Sequence, residues 1–127
     1  GIYRRETTLQ QACAALAELR ERYRRGVRLD DHSRAFNTEW LSAIELDLSL
    51  EVAETMAQSA LARRESRGAH MRLDGFEARD DDNFLKHSLA YHSGDGPPRI
   101  DYMPVTITRS SPRARVYGGA GKQAELS

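Results

Sequence analysis

The sequence predicts a mainly α-helical fold: two long antiparallel helices of an incomplete bundle, then a short helical turn, a β-hairpin and a flexible tail. Three observations carry this expectation. Apolar residues recur at helical spacing over two long segments, Gly and Pro cluster between two strand-like runs, and the C-terminal residues are small and polar. With 127 residues the chain can build one modest core. The expected organisation is a helical domain with its hairpin over residues 1–109 and an extended or disordered tail over 110–127.

In the first helix Leu9, Ala12, Cys13, Leu16, Leu19 and Tyr23 fall three or four apart and so share one face. Thr7 with Gln10 forms an acceptable capping box, and a start one turn earlier, at Arg5 or Glu6, is the alternative. Gly26 should end the helix. Arg20, Arg22, Arg24 and Arg25 then sit where the negative end of the helix dipole favours cations, so they argue little for nucleic acid.

The linker RLDDHSRAF is polar, after which Asn37 or Thr38 offers a side-chain oxygen to cap a second helix running to about Arg64. Leu41, Ile44, Leu48 and Val52 fall on one side of it, and Leu46, Leu50, Ala53, Ala57 and Ala60 on another. A helix apolar on two sides must be covered on two sides. The first helix can cover only one, so a further surface is implied.

Ser66 and Gly68 break the helical pattern, and Asp81 or Asp82 can cap a short turn through Phe84 and Leu85. KHSLAYH and RIDYMPVTIT flank SGDGPP, which reads as a hairpin with Ile100, Tyr102, Val105 and Ile107 as strand residues. Pro104 lacks an amide proton and requires an edge or a bulge. From Gly118 onward the composition suits disorder.

Composition removes several functional classes. Lys plus Arg and Asp plus Glu are equal at 19 each, so net charge draws the chain to neither nucleic acid nor an anionic membrane. No apolar run is long enough to span a bilayer. The single Cys13 cannot form an intramolecular disulfide, and its place on an apolar stripe favours a buried small hydrophobe over a reactive thiol. Position 1 is Gly rather than Met, and nothing after it resembles a signal peptide, so a removed upstream segment is an expectation.

No residue is nominated as catalytic, cofactor-binding or metal-binding. His32, His70, His87 and His92 make no compact ligand pattern. Asp30, Asp31, Asp80, Asp81 and Asp82 could bind a hard cation, but helix capping and solvation explain them more simply. YGGAGKQ resembles a phosphate loop only superficially, because it lacks the first Gly at the required spacing and a Ser or Thr after Lys122. Ser/His/Asp triads and dinucleotide-binding turns are likewise unrecognisable.

The densest polar stretch is ESRGAHMRLD. Glu65, Ser66, Arg67 and Gly68 can be read as a plain helix exit, with His70, Arg72 and Asp74 as polar surface. The sharper reading has Arg67, His70 and Arg72 tying this exit to carboxylates or backbone carbonyls elsewhere. With Asp81 and His87 they make the candidate docking set.

The segments GIYRR, LAELRERYRR, FNTEWLSAIEL, VAETMAQSALARRESRGAH, RDDDNFLKHSLAYH, RIDYMPVTIT and RVYGG occur in the order found in one family. Together they resemble the C-terminal region of the flavoprotein subunit of fumarate reductase and succinate dehydrogenase, the fumarate reductase branch most of all. ESRGAH alone would also admit L-aspartate oxidase. The resemblance implies a full-length subunit that binds FAD, interconverts fumarate and succinate, and exchanges electrons with an iron–sulfur subunit on the cytoplasmic side of the inner membrane. It implies that the flavin-linking, substrate-binding and proton-transferring residues lie in earlier domains, so this stretch alone should be inactive.

The implied partners are the flavin-binding domain of the same subunit, the iron–sulfur subunit and a flavinylation assembly factor. The family also has a further helix before the segment matching GIYRR, in keeping with the unpartnered stripe of the second helix. Self-association or loose packing along that stripe is expected of the isolated chain. The rival reading from another class is a free-standing helical interaction module.

Overall fold

A computed structural model of the chain describes residues 1–94 and 96–113. A two-residue strand, β1 (Tyr3–Arg4), leads into α1 (Glu6–Arg24), followed by α2 (Thr38–Ala62), β2 (Met71–Arg72), α3 (Asp81–Phe84), β3 (Lys86–Tyr91) and β4 (Arg99–Pro104). The tail beyond Arg113, YGGAGKQ included, lies outside the described residues.

α1 starts at the earlier of the two expected positions. Arg5 is extended at the cap, and the Thr8 hydroxyl accepts from its amide and donates to its carbonyl. Thr7 does not cap. The amide of Glu6 instead donates to Asp74 Oδ2 at 2.6 Å, a helix-start carboxylate supplied from 68 residues away. At the other end Gly26 adopts φ 118°, a conformation that glycine enters without steric cost.

Asn37 caps α2, its side chain accepting from the Trp40 amide at 2.8 Å. Glu39 Oε2 accepts from the amides of Asp30 and Asp31 and folds the linker back onto this end. α2 stops at Ala62 rather than at Arg64, because Arg63 turns extended and its carbonyl and guanidinium join other elements. Asp80, not Asp81 or Asp82, caps α3 by accepting from Asn83, since the Asp81 carboxylate is taken by two arginines.

The two long helices run antiparallel: Glu6 meets Arg64 at one end, Arg20 pairs with Glu54, and Leu19 and Tyr23 approach Leu46 and Leu50 at the other. Leu9, Cys13, Leu50 and Ala60 are the buried apolar residues between them. Cys13 is thus the small buried hydrophobe expected, and burial pushes its thiol pKa up. The opposite side of α2 is open, with Leu41, Ile44, Leu48 and Val52 all exposed.

β3 and β4 pair as an antiparallel hairpin in the register Lys86 with Pro104 through Tyr91 with Arg99. Pro104 ends its strand in a two-stranded sheet, where both strands are edges. Phe84 packs edge-on against Tyr102 at 5.8 Å between ring centroids and seats α3 on the hairpin. The parallel pairing of β1 with β2, Tyr3 opposite Met71 and Arg4 opposite Arg72, was not foreseen.

Candidate docking site at the exit of α2

After Ala62 the chain leaves helical geometry and gathers arginines around three carboxylates, Glu65, Asp74 and Asp81. Gly68, at φ 59°, lets the chain turn so that Arg67 and His70 exchange backbone hydrogen bonds. Ser66 organises the loop that follows, donating through its hydroxyl to Phe76 O and accepting from the Arg72 amide, both at 2.8 Å.

Glu65 is completely buried and accepts from four groups. Arg67 Nε and Nη2 grip its two oxygens at 2.8 and 2.9 Å, Asp80 N–H donates at 2.9 Å, and Arg63 Nη1 supplies a further close contact. Burial alone would push its pKa up, but the hydrogen bonds from Arg67, Asp80 and Arg63 outweigh it and hold the carboxyl below the usual range. Arg67 also donates to Asp81 Oδ1 at 2.6 Å, and Arg79 takes the other Asp81 oxygen at 2.7 Å. Arg63 reaches Phe84 O, Lys86 O and Ser88 Oγ, joining the α2 exit to the hairpin.

Arg72 is the second fully buried charge. It binds Asp74 bidentately at 2.8 and 2.7 Å, donates to Arg63 O at 3.2 Å and lies 5.1 Å above the Phe76 ring. The Arg72 guanidinium holds the Asp74 pKa down to about 2. Because Asp74 also caps α1, one carboxylate couples the start of the first helix to the exit of the second.

His70 closes this clamp over β1. Arg4 can only donate, so His70 Nδ1 accepts from it at 2.5 Å, which leaves the proton on Nε2 for Arg63 O at 3.0 Å. Burial holds the imidazole below its ordinary pKa, and the Arg4, Arg72 and Arg63 charges add to that effect.

Four of the five nominated residues, Arg67, His70, Arg72 and Asp81, therefore lie in one connected cluster. His87 does not join it: it stands exposed on β3 opposite Met103. Sequence reasoning had not nominated Glu65, Arg63, Asp74 or Arg4. A carboxylate with arginines two residues to either side in a non-helical stretch was the signal available for Glu65; nothing local marked Arg4.

The cluster is saturated. Among the described residues no buried side-chain nitrogen or oxygen lacks a partner, and no group of three His, Cys, Asp or Glu could hold a metal. Nor is any described helix long and apolar enough to cross a membrane. Arginine–carboxylate clamps that join helix ends, beside an open apolar helix face, define a two-helix domain with an appended hairpin.

Comparison with known proteins gives that class a family. The model for the fumarate reductase flavoprotein C-terminal region matches residues 1–117, and the chain belongs to the fumarate reductase/succinate dehydrogenase flavoprotein family, with the fumarate reductase branch favoured. It is 50% identical over 127 residues to the fumarate reductase flavoprotein subunit of Haemophilus influenzae, covering 100% of this chain and 21% of that protein. The corresponding Escherichia coli protein is 53% identical over 126 residues, 98% of this chain and 21% of the relative. A solved E. coli quinol fumarate reductase FrdA variant superposes with a TM-score of 0.87 at 55% identity, over 94% of this chain and 20% of that one. The chain thus spans about a fifth of the relatives it matches.

Proposed function

We propose that this chain is the C-terminal helical domain of a fumarate reductase flavoprotein subunit, and that its own role is docking and assembly. In its full-length form the subunit interconverts fumarate and succinate using FAD and passes electrons to an iron–sulfur subunit. It does so as a peripheral subunit on the cytoplasmic side of the inner membrane.

The observation that carries the docking role is the pairing of a self-satisfied polar clamp with an uncovered apolar face on α2. The buried donors and acceptors of the clamp are already matched within the chain. The clamp holds the two helices, β1 and the hairpin in one arrangement and so presents a preformed surface to the flavin-binding domain, the iron–sulfur subunit and a flavinylation assembly factor. Arg67, His70, Arg72 and Asp81 act by shaping that surface. His87, exposed on β3, is available to touch a partner directly.

Two measurements test this. The purified 127-residue chain is expected to bind no stoichiometric FAD and to oxidise no succinate; either activity overturns the non-catalytic role. In the full-length subunit Arg67→Ala is expected to reduce assembly with the iron–sulfur subunit, whereas unchanged assembly, stability and flavin content would overturn a docking role for Arg67.

A further inference from the structure

The chain turns back on itself after the hairpin. Lys86 stands opposite Pro104 at the open end of β3 and β4, and α3 lies immediately before Lys86. Residues 105–113 therefore leave β4 beside α3. Carrying the antiparallel course past Lys86 and Pro104 brings Pro112 level with Ala78, and the neighbouring Arg79 is the residue that reaches it, Nη2 donating to Pro112 O at 3.5 Å. The helical rise of α3 shortens one side of this course, and a bend at Thr108 and Arg109 takes up the difference on the other.

This segment is tied into the clamp. Arg79 uses the same Nη2 to donate to Asp81 Oδ2 at 2.7 Å, while Arg67 holds the other Asp81 oxygen. Pro104 and Pro112 bracket the segment, and their fixed φ lowers the entropy lost when the residues between them become ordered. Val105 is half-buried at its start.

Charge also favours the contact. α3 opens with Asp80, Asp81 and Asp82, and Asp82 pairs with no described cation. Residues 105–113 contain Arg109 and Arg113 and no acidic residue. Both arginines are exposed, and neither has an ion pair among the described residues. A helix of one turn cannot sustain itself, and α3 closes with only the Phe84 and Leu85 amides, donating to Asp80 O at 2.9 Å and Asp81 O at 3.3 Å.

We infer that residues 105–113 are a strap that closes over α3, latched at its far end by Arg79 and drawn in by Arg109 and Arg113 toward the acidic run of Asp80, Asp81 and Asp82. Closed, it covers the acidic face of α3 and steadies its single turn. Open, it exposes that face and releases Arg79 from Pro112. Exposed ion pairs are individually weak and screened by salt, so closure is reversible and weakens as ionic strength rises. The inference stands on this fold alone and is independent of the docking role.

The test uses the full-length protein expressed from its natural gene and purified in its native assembly. Hydrogen exchange of the Phe84 and Leu85 amides reports on α3. Exchange is expected to be several-fold faster at high than at low sodium chloride concentration, and several-fold faster at low salt when Arg109→Ser and Arg113→Ser are combined. The Ser variant should lose the salt response, and Arg109→Lys with Arg113→Lys should keep the original rate, because charge rather than shape draws the strap in. The latch is read by thermolysin cleavage before Ile107, with cleavage before Leu29 in the α1–α2 linker as the internal reference. Arg79→Ala is expected to raise the first several-fold and leave the second unchanged.

Exchange at Phe84 and Leu85 that responds neither to salt nor to the Ser substitutions overturns the inference. So does a Lys variant as fast as the Ser variant. Cleavage before Ile107 that Arg79→Ala leaves unchanged, or a rise at both cleavage sites, removes Arg79 as the latch and overturns the strap with it.

Discussion

Among the described residues Glu65 and Arg72 are the two charges that folding removes entirely from water, and each is tolerable only because it is hydrogen-bonded to groups of opposite charge. Glu65→Ala would leave Arg63 and Arg67 facing each other and orphan the Asp80 amide. We expect a loss of about 3–5 kcal/mol by chemical denaturation of the full-length protein. Arg67→Ala should cost less, because Glu65 keeps Arg63 and the Asp80 amide. Equal losses for the two variants would overturn Glu65 as the centre of the cluster.

Acid should open the clamp in two stages. The folded state holds His70 below its ordinary pKa of 6.5, so the unfolded chain takes up that proton first as pH falls. Stability contributed by neutral His70 is therefore present above about pH 6.5 and declines below it. Asp74 has the carboxylate sign: its pKa is lowered from 3.8 to about 2, so its contribution is full above the upper value and lost as pH falls through the lower. Denaturation midpoints measured against pH should show both declines, and His70→Gln should remove only the first. An unchanged upper decline in that variant would assign it to another group.

Between residues and elements, the limits of sequence reading follow from range. The cap at Asn37, the stop at Gly26 and the hairpin turn are decided within a few residues, and each was legible. The start of α1 was ambiguous because its deciding partner, Asp74, is far away in sequence. Asn37→Ala should cost about 1 kcal/mol, or somewhat more because its amide also holds the Asp31 and Ser33 carbonyls. Trp40, the only tryptophan, lies in the first turn of α2 and reports the change by its fluorescence. At Gly68 a methyl group would meet no atom within 4 Å, so Gly68→Ala tests backbone conformation alone and should cost about 1 kcal/mol. A much larger loss would reveal a contact on that side of the turn.

For the whole molecule, four buried apolar residues set against sixteen exposed large ones, among the described residues, decide that this core is not closed by the chain alone. The isolated chain is therefore expected to bind apolar dyes and to associate or pack loosely along α2, and Leu48→Lys should reduce the dye signal. A monomer that unfolds cooperatively and binds no dye would overturn this expectation. By itself the sequence determined the two helices, the Asn37 cap and the Gly26 stop, the hairpin, the family and the second apolar stripe of α2, because periodicity, capping chemistry and ordered motifs are local. Only the tertiary structure decided that Glu65 and Arg72 are buried, that Asp74 and His70 bind the start of the chain to the exit of α2, and which stripe α1 covers. Those outcomes depend on groups brought together from distant parts of the chain, and no local pattern encodes such a meeting.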